Sequence, residues 1–571
     1  MAVQVRPSAP LCFEYHQNHK PLSINLCKEL GVMAITSKVN EKSSDFKTKL
    51  VAIAFLVAIF WWTAYTILSN SGIFSLWAYG DAQMLNAGIH FAREGFLANN
   101  FLPLVNPGSP HSLVENNGTN GRYFHYPALH ALVVGVIVKL VDLIRSEPTT
   151  SLEEIKNFAQ LFFALISVTA LYLNFLWLKN YVSNTFSILG LITITLSGFY
   201  TNFGISLCDQ PLHYLFFSIN LILISKLLNQ ATLNLFSNRR LNLIICVNLF
   251  FATRNSIETP ILIFTLNVAA ILIFDFQFRV TCIKWVLKFQ ASPILLAIVI
   301  QFVQARLEFA TFADFYNHWR NLSATRFSLS EIGNLNMILK IFDKYSMPQF
   351  VIFLLCVITL LIVKQRTKKS STGKKIFESI LLAYIFSLFV LILLLPRQMF
   401  YMSDYVLYYF NFATVMTLII LSKYLLKFRY LVIFTILFIE LISLSSSGKS
   451  ALALRQDPKF LEFTSVFEHK SRKWWGGSDT SWKSIPLLKS QFFDTISRLT
   501  ESKDLIVLPE RFRGNSTGES NSVLEFYIQR HAITSQDNIQ LNCRELIEKV
   551  PGVPRIHTFD DSLTKFTTEI C

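Results

Sequence analysis

The run LVAIAFLVAIFWWTAYTIL (50–68) holds nineteen residues without one charge. About 18–20 such residues cross the hydrocarbon core of a bilayer as a helix. Its apolar character is continuous and does not alternate as a strand or a surface helix would. A second run, FESILLAYIFSLFVLILLLP (377–396), reads the same way. Only helices and closed barrels satisfy the backbone in lipid, and these runs are too long for barrel strands. The expected fold class is therefore an all-α polytopic membrane protein.

The whole chain agrees with that reading. It has 571 residues, 52% hydrophobic and 16% charged, with mean hydropathy +0.42. A soluble protein carries about 25% charged residues. The net charge of +15 does not indicate nucleic acid. The basic residues gather in short loops, as in KQRTKKSSTGKK (364–375) and KYLLKFR (423–429), the bias of loops on the cytoplasmic side. The aromatic load, with 52 Phe and 19 Tyr, fits lipid-facing packing and interfacial belts. Residues 1–48 are mixed and polar, so the N-terminus is not a secretory signal.

Eleven runs read as spans: 50–68, 158–178, 184–203, 210–227, 241–253, 260–275, 285–303, 349–364, 376–395, 404–422 and 430–446. PALHALVVGVIVKLVDLI (127–144) is a twelfth candidate, but it carries His130 and Lys139. Parity decides between eleven and twelve. Residues 1–49 hold seven Lys or Arg and are placed inside. Eleven spans then leave the six basic residues of 364–375 inside as well. The charge rule makes 127–144 an interfacial or partly inserted helix, or a re-entrant hairpin. The organisation is a cytoplasmic segment (1–49), a transmembrane domain (50–448) and a non-cytoplasmic C-terminal domain (449–571). Large outer loops cover 69–157 and 304–348. The sequons at Asn117, Asn321 and Asn515 all fall outside in this arrangement.

The C-terminal part changes composition. DLIVLP (504–509) and RIHTF (555–559) read as strands, SVLEFYIQRHA (522–532) as a helix, together a small α/β domain. There are eight cysteines without metal-ligand spacing. Cys246 and Cys356 lie in apolar runs as plain core residues. Cys543 and Cys571 could form a disulfide outside the cytoplasm. Trp474 and Trp475 suit docking of this part on the membrane surface.

Two carboxylates stand near the outer mouths of spans. Asp81, in WAYGDAQMLNAGIHFAREGF (77–96), follows the first span by about a dozen residues. It is either the N-cap of the helix after it or a general base. Asp209, in GISLCDQPLHYLFF (204–217), precedes Pro211 at the start of a span. It is either a cap or a group that shapes an active site on the same membrane face.

With these residues in place, the chain resembles the GT-C fold glycosyltransferases, in particular the protein mannosyltransferase and aminoarabinose transferase group. Asp81 in YGDAQ matches that group's early loop Asp. His125-Tyr126-Pro127-Ala128-Leu129 is a degenerate form of its His/Lys-Pro-Pro-Leu element. Asp209-Gln210-Pro211-Leu212 matches its Asp-x-Pro-Leu, ATRNSIETP (252–260) its Thr-Arg/Lys turn, and PRQMFY (396–401) its later outer-face Arg. The group often has Glu after the early Asp, whereas Ala82 stands here.

The resemblance implies a membrane glycosyltransferase that moves a sugar from a polyprenyl-phosphate donor, with inversion, on the non-cytoplasmic face. The acceptor would be a protein, a lipid or a glycan. Asp81 would be the base, with Asp209, His125 and Tyr126 shaping the acceptor site. Arg397, Arg254, Arg320 and His318 would stabilise the leaving lipid phosphate. Interface snorkelling is the simpler role for Arg254 and Arg397, and an amphipathic loop helix for His318 and Arg320. No cofactor is expected and no metal is required, since the paired acid is missing; nucleic acid is not a partner. The membrane would be a plasma or inner membrane, or the endoplasmic reticulum in a eukaryote. A transporter or flippase, a lipid-linked-glycan polymerase or ligase, and a non-catalytic scaffold are the alternatives. The absence of internal repeats and the large outer loops count against transport.

Overall fold

The computed structural model describes residues 46–68, 78–103, 127–145, 151–196, 204–230, 235–236, 238–274, 279–309, 311–326, 372–395 and 412–419. It also describes isolated residues between 354 and 361, parts of 496–508, and 531–534, 555–559 and 566–570. The chain forms two compact units, residues 1–55 and 56–571. Described residues of the first, 46–55, are the opening turns of helix α1, Phe46–Leu68. The second unit holds the remaining elements.

Its helices are α2 (Ala78–Glu94), α3 (Leu129–Arg145), α4 (Leu152–Lys179), α5 (Asn184–Leu196), α6 (Gln210–Leu228), α7 (Arg239–Asn255) and α8 (Glu258–Phe274). They continue with α9 (Arg279–Arg306, with a π-helical turn at Leu287–Ala291), α10 (Phe312–Arg326) and α11 (Thr372–Leu394). Among the described residues, five helices are long and apolar enough to cross a membrane: α1, α4, α6, α9 and Lys375–Leu394 of α11. The protein is an all-α polytopic membrane protein with a small α/β part. The count of eleven spans is not confirmed among the described residues. At 17 residues each, α7 and α8 are about 25 Å long, against about 30 Å of hydrocarbon. The described part of 184–203 is the 13-residue α5. Of 349–364 and 404–422 only fragments are described, and 430–446 lies outside the described residues.

The segment 127–144, expected at the interface, is α3, and it packs on α2. The two helices meet at glycines. A Cβ on Gly135 would stand 2.7 Å from Phe91 Cβ, and one on Gly88 would run into the Val134 side chain. Met84, Leu85, Phe91, Val134, Ile137 and Val138 are all buried in this seam. Asp81 in the first turn of α2 and Arg93 in its last complement the helix dipole. Gly95 ends α2 at φ 103°, a conformation open to glycine, and its N–H returns to the Phe91 carbonyl at 3.2 Å.

Side-chain hydrogen bonds tie the spans together where lipid offers no water to compete. Asn174 of α4 donates to Ser218 of α6 at 2.6 Å, and Trp177 to Ser225 at 2.8 Å. Asn220 of α6 and Asn267 of α8 exchange bonds of 2.9 and 3.1 Å.

In the C-terminal part, strands β1 (Leu505–Leu508), β2 (His531–Thr534), β3 (Arg555–Phe559) and β4 (Phe566–Ile570) form one sheet, order β2-β1-β3-β4. β1 is parallel to both neighbours, and β4 is antiparallel to β3. Both expected strands are present. The run 522–532 is not helical to its end, because His531 and Ala532 pair with Leu505 and Ile506 of the buried strand β1; ladder pairing there overrides local preference. Ile496 and Ile506 join the α2–α3 core, so the sheet is seated against the first loop. Cys356, Cys543, Cys571, Trp474 and Trp475 lie outside the described residues, as do Asn117 and Asn515. Cys246 is half-buried and its thiol reaches the Phe289 carbonyl at 3.3 Å.

Candidate functional site

Asp81 is fully buried. It stands within the first turn of α2, not at the N-cap position, and its side chain serves another segment. Oδ1 accepts hydrogen bonds from the Ser206 hydroxyl at 2.9 Å and from the Leu207 N–H at 2.8 Å. These residues belong to the loop that leads into α6. A carboxylate taken out of water without such donors would cost several kcal/mol. Ser206 is fixed in turn, with Gln210 Oε1 at 3.1 Å and the Cys208 N–H donating to its hydroxyl at 3.3 Å.

Asp209 follows in the same loop. It occupies the N-cap position of α6, with Pro211 at the helix start, yet its side chain makes no capping bond. Its carbonyl accepts from the His213 N–H at 2.8 Å and from Asn255 Nδ2 at 2.9 Å. Cys208 lies between the two acids and reports both. Burial, then the negative charges of Asp81 and Asp209, push its thiol well above the usual range. Both carboxylates singled out in the sequence therefore stand around one residue.

Two buried basic groups lie on α4 and α7, the helices that pack on α6. Lys156, in the first turns of α4, is fully buried and pairs with Glu153 at 2.5 Å. Asp81 is the other negative charge that bears on its ammonium. The sequence reading missed Lys156, because LEEIKNFAQ looks like an ordinary charged helix start. The second is Arg254, near the end of α7. Nη2 donates to Gln304 at 2.7 Å, while buried Nη1 has no hydrogen-bond partner among the described residues.

Asn255, beside Arg254, connects α7 to the rest. Its Nδ2 holds Asp209, as above, and its backbone bonds the ring of His130 in the first turn of α3. Burial outweighs that bond and pulls His130 down to about 4, so the imidazole is neutral at pH 7. The first-loop helices, the α6 loop and the α7–α8 corner thus converge around Asp81 and Asp209.

The other expected site residues divide. His125, Tyr126 and Arg397 lie outside the described residues. His318 and Arg320 are on α10, where Arg320 is exposed. That helix docks on the end of α9, with Trp319 stacked on Phe302 at 4.4 Å. No three His, Cys, Asp or Glu side chains among the described residues converge as a metal site would require.

No protein-family model matches the chain, and no curated protein matches it. Solved structures do. ArnT from Cupriavidus metallidurans, bound to undecaprenyl phosphate, superposes with a TM-score of 0.50 at 11% identity, over 89% of this chain and 93% of that one. The fold is GT-C. At that identity the likeness speaks for the GT-C fold alone. The archaeal oligosaccharyltransferase AglB from Archaeoglobus fulgidus, in complex with an inhibitory peptide and a dolichol-phosphate, gives 0.46 at 11% identity, over 89% and 69%. An Archaeoglobus fulgidus oligosaccharyltransferase in the apo form gives 0.48 at 10%, over 89% and 69%. These two lie below 0.5 and add nothing to the GT-C assignment.

Proposed function

We propose that the protein is a membrane glycosyltransferase that moves a sugar from a polyprenyl-phosphate donor to an acceptor on the non-cytoplasmic face, with inversion. The observation that carries the reading is the arrangement of Asp81. A buried carboxylate at the start of a first-loop helix is clamped by the loop entering α6, with a buried cation, Lys156, in electrostatic reach.

The donor's polyprenyl tail stays in the bilayer, so its reacting carbon must come to a membrane face. Asp81 takes the proton of the acceptor hydroxyl or amine as that atom attacks the anomeric carbon. The bond from that carbon to the phosphate oxygen breaks on the opposite side, which inverts the configuration. Polyprenyl phosphate leaves with the electron pair. Arg254, with Nη1 uncommitted, neutralises the growing charge. Asp209 holds the corner through Asn255. Arg397, Arg320 and His318 are further candidates for the phosphate, and His125 and Tyr126 for the acceptor side. The reading requires no metal and no cofactor.

Purified wild-type protein in liposomes, supplied with a panel of radiolabelled polyprenyl-phosphate sugars and membrane acceptors, tests this. Transfer of label from one donor is the expected result. Folded protein that transfers from none would put a transporter or flippase first.

A further inference from the structure

α10 starts just beyond the end of α9, and Thr311 caps it. The Asp314 N–H donates to Thr311 Oγ1 at 3.1 Å, and the Thr311 hydroxyl donates to the Asp314 carboxylate at 2.6 Å. The helix is amphipathic. At 3.6 residues per turn, Phe312, Phe315, Tyr316 and Trp319 share an arc of about 100°. Asp314 and Asn317 stand opposite, and Arg320 flanks the aromatic arc beside Tyr316.

Half of the aromatic arc is used inside the protein. Phe315 is buried with Leu102, Ala305 and Phe309. Trp319 stacks on Phe302 of α9, with ring centroids 4.4 Å apart. In the same corner Asn100 donates to Glu308 at 2.7 Å, so the turn after α2 closes that side. The other half is uncovered: Phe312 is 64% exposed and Tyr316 55%. Two large aromatic side chains one turn apart do not face water without cause.

α9 shows what meets them. It is long and apolar enough to cross a membrane, and it exposes Leu295, Val299, Phe302, Val303 and Leu307. Lipid is the medium that suits this surface. Leu307 at its end and Phe302 beneath Trp319 carry the same surface on to α10. A helix with aromatics on one face, polar residues on the other and an Arg at the boundary lies in the plane of the interface.

We propose that α10 is an in-plane membrane helix. Phe312 and Tyr316 enter the bilayer at the headgroup boundary beside the end of α9, and Arg320 sits at the level of the lipid phosphates. The corner with Asn100 and Leu102 ties this anchor to the turn that follows α2.

Photocrosslinking of the full chain in liposomes tests it. Phe312, Tyr316 and Asn317 are each replaced by p-benzoylphenylalanine, with Leu296 on the exposed face of α9 as the lipid-facing reference. All four side chains are exposed, so the replacements leave the packing intact. The liposomes contain radiolabelled phosphatidylcholine and phosphatidylglycerol. Irradiation should attach labelled lipid at positions 312 and 316 in amounts close to those at 296, and only background at 317. Background at 312 and 316 with a strong adduct at 296 would overturn the proposal. So would adducts from 312 and 316 to a second copy or to other residues of the same chain in place of lipid. Equal lipid labelling at 312, 316 and 317 would contradict the in-plane orientation.

Discussion

The Asp81 carboxylate accepts a hydrogen bond from the Leu207 N–H at 2.8 Å, across 126 residues of chain. This bond joins the first turn of α2 to the entrance of α6. It brings Asp81 beside the loop that carries Asp209, with Lys156 in electrostatic reach.

Lys156 is the first consequence. Its ammonium lies in the field of Asp81 inside the protein, where charges interact more strongly than in water. Lys156→Met removes the positive charge that favours an ionised Asp81. The acid limb of the kcat/KM profile should move to higher pH, and Lys156→Arg should return it toward wild type. An identical profile in Lys156→Met at reduced activity would make the lysine structural.

The α2–α3 crossing depends on the absence of two side chains. Gly135→Leu places atoms against Phe91 and Phe96. Overpacking of this kind costs about 1–3 kcal/mol. A thermal midpoint several degrees lower in detergent is the expected result. Gly95→Ala tests the helix end separately, since φ 103° there strains any L side chain.

His130 makes stability depend on pH. Its folded-state value is lowered to about 4 from the ordinary 6.5, chiefly by burial. The unfolded chain binds the proton first as pH falls, so stability is lost between about pH 6.5 and 4. A shift of that size corresponds to about 3 kcal/mol when complete. Melting curves of wild type should fall through this window more steeply than those of His130→Phe. Parallel curves would mean that the imidazole is solvated.

Cys208 should be an unreactive thiol. Burial and the two neighbouring carboxylates keep it protonated well above the usual range, and the thiolate is the nucleophile. Peptide mapping after N-ethylmaleimide treatment at pH 8 should find Cys208 unmodified in the native protein and modified after denaturation. Rapid native labelling would contradict the burial.

Much of this was legible in the sequence. The cost of placing apolar residues in water is local and additive, so runs such as 50–68 and 377–396 mark helices with no partner known. Asp209 and Arg254 could be found because each stands at the edge of such a run, and Asp81 because it follows the first run by about a dozen residues. The span count was less legible, since a short apolar helix such as α8 has the same composition as a span without its length. What Asp81 touches was not legible, because Ser206 and Leu207 are unremarkable residues brought in by tertiary packing. Lys156 was hidden for the same reason: its burial comes from α4 meeting its neighbours, not from anything in its own turn. His130 was visible as a polar residue on an apolar helix, but its tie to Asn255 was not.

The central claim is that Asp81 is the base. Label transfer from the productive polyprenyl-phosphate sugar, by wild type and Asp81→Asn side by side in liposomes, tests it most directly. Asparagine keeps the oxygen that accepts from Ser206 and Leu207 while removing the base. The account predicts an Asp81→Asn protein that folds, binds donor and transfers at least about a hundredfold more slowly. Transfer at the wild-type rate would contradict it and leave Asp81 as a structural clamp between two loops.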